Sequence, residues 1–327
     1  MIYIYNNIVY TKYITSSKLN IRIYACEIIR RKVQMNSIKL KARAKINLGL
    51  DVLCKREDGY HEVRMVMQTI GLYDRIILKK SIETEIKIVT NLSFLPVNEN
   101  NLVYKAAKML IDEFDIKEGV SIDLNKFIPV AAGMAGGSSD AASVLYGMNR
   151  LFNLNLTIEE LMERGVHIGA DVPYCIIRGT ALAEGIGEKL TKLKPIPKCY
   201  IIVAKPPINV STKLVYENFD LKGVEEHPDI NGIIQAIEVG DLYTVAQKLG
   251  NVLENVTIPL YPVIAKIKND MKSNGAINAI MSGSGPTVFG IFDDYETAMK
   301  CIDVLKQADD ARQIYITETY NLEDNIT

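Results

Sequence analysis

The sequence has no tryptophan and only three histidines, His61, His167 and His227, in 327 residues. The missing tryptophan excludes nothing, but the lack of a histidine cluster argues against a zinc centre. Its five cysteines, Cys26, Cys54, Cys175, Cys199 and Cys301, are odd in number and scattered. No C-x-x-C pair or metal-ligand spacing appears among them, so a reduced, cytoplasmic setting is expected. No apolar run is long enough to span a bilayer, and no basic segment precedes an apolar core as in a signal peptide. A membrane is therefore not an expected partner. Neither sign of charge dominates: 38 Lys and Arg against 39 Asp and Glu give a formal net charge of −1. That balance argues against a general nucleic-acid binder, which usually carries a basic face.

What remains is ordinary for a soluble globular protein, with 48% hydrophobic and 24% charged residues. Such a length predicts about two domains, each able to bury its own core. Residues 1–34 are rich in Ile, Tyr and Asn and lack the patterning that begins after Met35, so they read as a dispensable extension. The competing reading is an added strand or partner-binding arm.

The most informative stretch is Pro129-Val-Ala-Ala-Gly-Met-Ala-Gly-Gly-Ser-Ser139. Alternating Val120, Ile122 and Leu124 predict a strand before it. Ala141, Val144, Leu145, Met148, Leu151 and Phe152 predict a helix after it. A small-residue loop thus empties into a helix N-terminus, where free N–H groups and the helix dipole favour an anion. Ser138, Ser139 and Asp140 suit the cap. No Lys follows the glycines as in a P-loop, and the spacing fails the Rossmann fingerprint. The structural alternative is a glycine-rich turn that packs a helix closely on a sheet.

Other segments add candidates. From Ile38 the chain alternates as a half-buried strand, with Lys41, Arg43, Lys45 and Asn47 on one face and Leu40, Ala42, Ala44, Ile46 and Leu48 on the other. The turn dipeptide Asp58-Gly59 puts Tyr60 and His61 just past a hairpin tip, where local packing is the simpler reading. Asp171, with Pro173 two residues later, suits a helix N-cap. Helices are predicted over 102–114, from Thr157, over 242–253, 263–271 and 297–307. Strands are predicted over 65–70, 74–78, 85–89, 199–204, 275–281 and 312–317. Residues 192–198, with Pro195 and Pro197, form the best linker.

Ala44-Lys-Ile-Asn47, the glycine loop and Gly169-Ala-Asp-Val-Pro-Tyr174, in this order, resemble motifs of the GHMP kinases (galactokinase, homoserine kinase, mevalonate kinase, phosphomevalonate kinase). The resemblance runs from about Lys39 to Thr317 and includes a second glycine-rich loop, Ser282-Gly-Ser-Gly-Pro286. It implies an α+β protein of two domains: an ATP-binding α/β domain over 35–194 and a ferredoxin-like α+β sandwich over 195–320, with a short tail over 321–327. It also implies an ATP-dependent small-molecule kinase. Pro129, Val130, Ala131, Ala132, Gly133, Met134, Ala135, Gly136, Gly137, Ser138 and Ser139 would cradle ATP. Mg²⁺ would bridge its phosphates with few protein ligands, Ser138 or Ser139 nearest. Asp171 would be the general base and Lys45 would offset developing charge, while Asn47 would orient the alcohol or Asp171.

The string Arg56-Glu-Asp-Gly-Tyr-His-Glu62 resembles one branch of the family, whose substrate is a cytidylyl sugar alcohol used in isoprenoid-precursor synthesis. In that branch Tyr60, His61, Thr212 and Tyr216 would take the substrate, with ring stacking on the base. Lys105 is a further candidate, near the adenine. Competing expectations are another GHMP kinase, of homoserine or mevalonate type, and a non-catalytic nucleotide-binding sensor. A monomer or weak homodimer is expected.

Overall fold

The computed structural model describes residues 2–5, 8–11 and 35–321. Within the first 36 residues, Ile2–Tyr5 and Ile8–Thr11 pair antiparallel with one another. The expectation of a dispensable extension otherwise concerns residues outside those described, as does the tail after Asn321.

Residues 37–321 belong to one compact unit built on two sheets. The larger has seven strands and is organised by a long hairpin, Ser37–Lys55 and His61–Ser81, joined at the Asp58-Gly59 turn. Segments 65–70 and 74–78, predicted as separate strands, are thus one continuous strand. Its first half pairs with Thr180–Gly185, and its second half with Gly119–Asn125. Helix Leu102–Glu113 is capped by the Asn101 side chain, which accepts from Val103 N. Thr157 and Glu160 form a reciprocal capping box on helix Ile158–Val166.

After the irregular 193–199 segment comes the second sheet, four antiparallel strands in the order Asn278–Met281, Val288–Phe292, Tyr200–Lys205, Gln313–Glu318. Helices Val263–Ser273 and Tyr295–Ala308 pack on it. The helix expected over 242–253 is shorter. It ends at Gln247, because Gly250 and Asn251 turn aside to pair in parallel with Gly49 and Leu50 of the first sheet. The apolar cores combine residues from both sides of the linker, such as Ala44 and Ile46 with Ile201 and Phe289.

One departure from the simple strand pattern matters for the site. The long hairpin shifts register between Arg43 and Lys45 and again between Asn47 and Gly49. Ala42 belongs to one core, Ala44, Ile46 and Leu48 to the other, and Leu50 and Val52 to the first again. The strand therefore changes which core its even-numbered residues meet, as irregularities in a ladder do. Lys45 and Asn47 do not share the solvated face of Lys41; both are buried.

Candidate active site

Ala135, not a serine or Asp140, occupies the cap position of helix Gly136–Phe152. It is left-handed at φ 53° and offers no capping side chain. Ser138, Ser139 and Asp140 already lie inside the helix, which corrects their expected role as caps. The first backbone bond of the helix is Ser139 N to Ala135 O at 2.8 Å. The N–H groups of Gly136, Gly137 and Ser138 precede it, so they are left for an anion. Ala131 and Gly133 are also left-handed, at φ 51° and 69°. Such reversals in a loop turn successive N–H groups into a concavity that suits phosphate.

Gly133 has a second reason to be glycine. A Cβ there would come within 2.0 Å of Ser282 O, in the second glycine-rich loop. Ser282 Oγ donates to Gly133 O at 3.0 Å, tying the two loops together. The second loop also reaches helix Thr212–Glu217, through a 2.8 Å bond between Ser284 Oγ and Thr212 Oγ1.

These parts line one cleft of ≈ 980 Å³. Pro129 to Ser138 lie in its wall; Ser139 does not, being buried in the helix. Lys45 and Asp171 face the cleft with Lys45 Nζ 4.0 Å from Asp171 Oδ2. Asp171 does hold the backbone cap position of helix Val172–Ile177, but its carboxylate makes no capping bond. Its orientation toward Lys45 is not explained by helix capping. Asn47 stands behind Lys45 rather than in the wall: its Oδ1 accepts from Lys45 Nζ at 2.7 Å, and its Nδ2 lies 3.4 Å from Met65 Sδ.

Tyr60, His61, Thr212 and Tyr216 also line the cleft. The rings of His61 and Tyr216 lie 5.1 Å apart, and Phe219 meets His61 edge-on at 6.5 Å. Tyr60 is 61% exposed, an open ring at the rim. Burial, then the charge of Lys55, lowers the His61 pKa below its ordinary 6.5. The ring is therefore neutral near pH 7, with one donor and one acceptor for a base edge. Burial, with a contribution from Asp171, pushes the Tyr216 hydroxyl upward.

Sequence patterning missed a buried cluster beside the glycine loop. Lys126 Nζ pairs with Asp74 and, at 2.5 Å, with Asp140 Oδ2. Asp74 Oδ1 also accepts from the N–H groups of Phe127 and Ile128, at the entrance to the loop. Burial raises the pKa of Asp140; Lys126 opposes this and Asp74 adds to it. Burial acts to lower that of Lys126, but the two carboxylates outweigh it and the net shift is upward. Lys105 is absent from the wall; Leu95, Pro96, Asn100, Asn101 and Leu102 occupy that region. Among the described residues no group of three or more His, Cys, Asp or Glu is placed to hold a metal.

Residues 101–179 match the GHMP kinases N terminal domain, and 233–311 the GHMP kinases C terminal domain. A 4-diphosphocytidyl-2-C-methyl-D-erythritol kinase from Lachnospira eligens is 66% identical over 286 residues, 88% of this chain and 99% of the relative. One from Clostridium perfringens is 52% identical over 284 residues, 87% of this chain and 99% of the relative. A crystal structure of 4-(cytidine 5′-diphospho)-2C-methyl-D-erythritol kinase superposes with a TM-score of 0.75 at 29% identity, covering 87% of this chain and all (100%) of that one. Homoserine kinase from Cytophaga hutchinsonii has a TM-score of 0.70 at 20% identity, covering 88% and 95%, a likeness of fold. The chain belongs to the GHMP kinases, in the branch formed by the 4-diphosphocytidyl-2-C-methyl-D-erythritol kinases.

Proposed function

We propose that this kinase transfers the γ-phosphate of ATP to the 2-hydroxyl of 4-diphosphocytidyl-2-C-methyl-D-erythritol, a step in non-mevalonate isoprenoid-precursor synthesis. The observation that carries this is the Lys45–Asp171 pair, 4.0 Å apart, in a cleft shared by the glycine loop and the Tyr60, His61 and Tyr216 rings. Such a cleft has a place for an anion, a place for a base and a carboxylate for an alcohol.

Phosphoryl transfer depends on positioning and charge neutralisation more than on covalent help. The N–H groups of Gly136, Gly137 and Ser138 and the loop before them hold the phosphates. Asp171 accepts the proton of the attacking hydroxyl. Lys45, fixed by Asn47, offsets charge that develops on the transferring group. Tyr60 and Tyr216 bracket the cytosine, and His61 bonds its edge.

Magnesium fits a site of this composition. The Ser138 hydroxyl and the Asp171 carboxylate supply hard oxygen donors in the wall, few enough for an ion held mainly by phosphates. When bound it neutralises phosphate charge.

Asp171→Asn keeps the shape of the side chain and removes the proton acceptor. Single-turnover phosphoryl transfer should fall by at least about 10²-fold, with ATP binding retained. Lys45→Met should also cut it heavily, and the double variant should be little worse than the poorer single one, since groups acting as a unit are non-additive. Near-normal transfer by Asp171→Asn with ATP bound would contradict the assignment.

A further inference from the structure

The cations of the cleft are not equally committed. Four lysines line it: Lys45, Lys55, Lys126 and Lys213. Lys126 is held by the buried Asp74 and Asp140, and Lys45 faces Asp171 and Asn47. Lys55 makes no ion pair or side-chain hydrogen bond among the described residues. Lys213 has only a long contact to Glu217, 3.7 Å, with both side chains largely exposed. A pair of that kind contributes little and is easily exchanged for a better anion.

Both lysines stand beside groups assigned to the base. Lys55 is the cross-strand partner of His61, at the root of the hairpin that carries Tyr60. Burial first, and then the charge of Lys55, hold His61 below its ordinary pKa. Lys213 follows Thr212 and lies one turn before Tyr216 on the same short helix. The proposed substrate joins its cytidine to the sugar alcohol through a diphosphate, whose two negative charges must lie between the base and the hydroxyl that Asp171 serves. No other uncommitted cation lines the cleft among the described residues.

We propose that Lys55 and Lys213 form a subsite for the substrate's diphosphate bridge, separate from the glycine loop that takes ATP. This rests on the proposed function, whose substrate supplies the diphosphate. The two lysines would select a nucleoside diphosphate ester over an uncharged nucleoside. They would also make substrate capture sensitive to salt, since exposed charges are screened within about 10 Å at 0.1 M ionic strength.

The test uses the full chain saturated with a non-hydrolysable ATP analogue, so that the glycine loop is occupied. Calorimetry then compares cytidine with cytidine 5′-diphosphate in the parent protein, in Lys55→Met, in Lys213→Met and in the double variant. The parent should prefer the diphosphate, and each variant should lose about three- to tenfold of that affinity, the range for a partly exposed charge-assisted contact. Cytidine affinity should change less than about twofold, because the variants leave the rings in place. With the full substrate, KM should rise by a similar factor at unchanged kcat. Equal losses for cytidine and its diphosphate, or no loss for either, would overturn the subsite. If the variants turn over the substrate with the parent's KM, the kinase assignment stands and the subsite does not. A parent protein that cannot phosphorylate the cytidylyl substrate would remove both.

Discussion

At Asp171 the local residues favour a helix cap and the resemblance of the motif favours a catalytic base. The local string fits a helix cap, and the backbone indeed starts a helix there, yet the carboxylate caps nothing and meets Lys45. Only the fold brings that lysine within 4.0 Å. Tyr60 was legible for the opposite reason: a turn dipeptide fixes its position within a few residues, and the ring is left open at the rim. The stacking role proposed for it gives a direct prediction. Tyr60→Ala should weaken cytidylyl-substrate binding by roughly 1–3 kcal/mol, the range for losing one base-stacking partner. ATP affinity, measured by titration on the same protein, should barely move; an equal loss of ATP binding would place Tyr60 with the nucleotide or the core.

At the scale of elements, what could be read in advance was what depends on near neighbours. The starts of the helices at 102 and after Thr157 and the emptying of the glycine loop into a helix are set within a few residues, although that helix begins at Gly136, ahead of the serines expected to cap it. The turning of Lys45 and Asn47 toward the cleft was not readable, because it comes from register shifts against a strand some twenty residues away. Nor was the Asp74–Lys126–Asp140 cluster, whose members are 52 and 14 residues apart and meet only when helix, strand and loop pack. That cluster pins the entrance of the glycine loop through Asp74, and it makes a prediction about pH. The folded pKa of Asp140 is raised, first by burial, so the folded state holds its proton more tightly than the unfolded chain. The resulting stability is fully present below the unfolded value, about 3.9, and is lost as pH rises through the folded value. Asp140→Asn has no proton to lose. Urea unfolding across a pH series should therefore show the variant gaining on the parent as pH rises from about 4. The reverse trend would mean that Asp140 is held as an ion by Lys126.

At the scale of the whole molecule, one cleft joins the glycine loop, Asp171 and the Tyr60–His61 hairpin, which precede the proline-rich segment, to Thr212, Tyr216 and the second glycine-rich loop, which follow it. That arrangement follows from the resemblance of the motifs; the shared apolar cores and the contact between the two glycine loops do not follow from patterning, because they are long-range packing. Among the described residues, every one that lines the cleft is at or beyond Lys45. A chain beginning at Met35 should accordingly melt at the same temperature as the full chain and keep its turnover. Aggregation or a large drop in melting temperature would show that the first residues stabilise the rest. The central claim concerns which alcohol is phosphorylated, and it is tested most directly by following ATP consumption with 4-diphosphocytidyl-2-C-methyl-D-erythritol, homoserine and mevalonate offered separately to the purified protein. Rapid turnover with the cytidylyl compound alone, with phosphate found on its 2-hydroxyl, is the predicted result. Turnover of homoserine or mevalonate in preference to it would contradict the account.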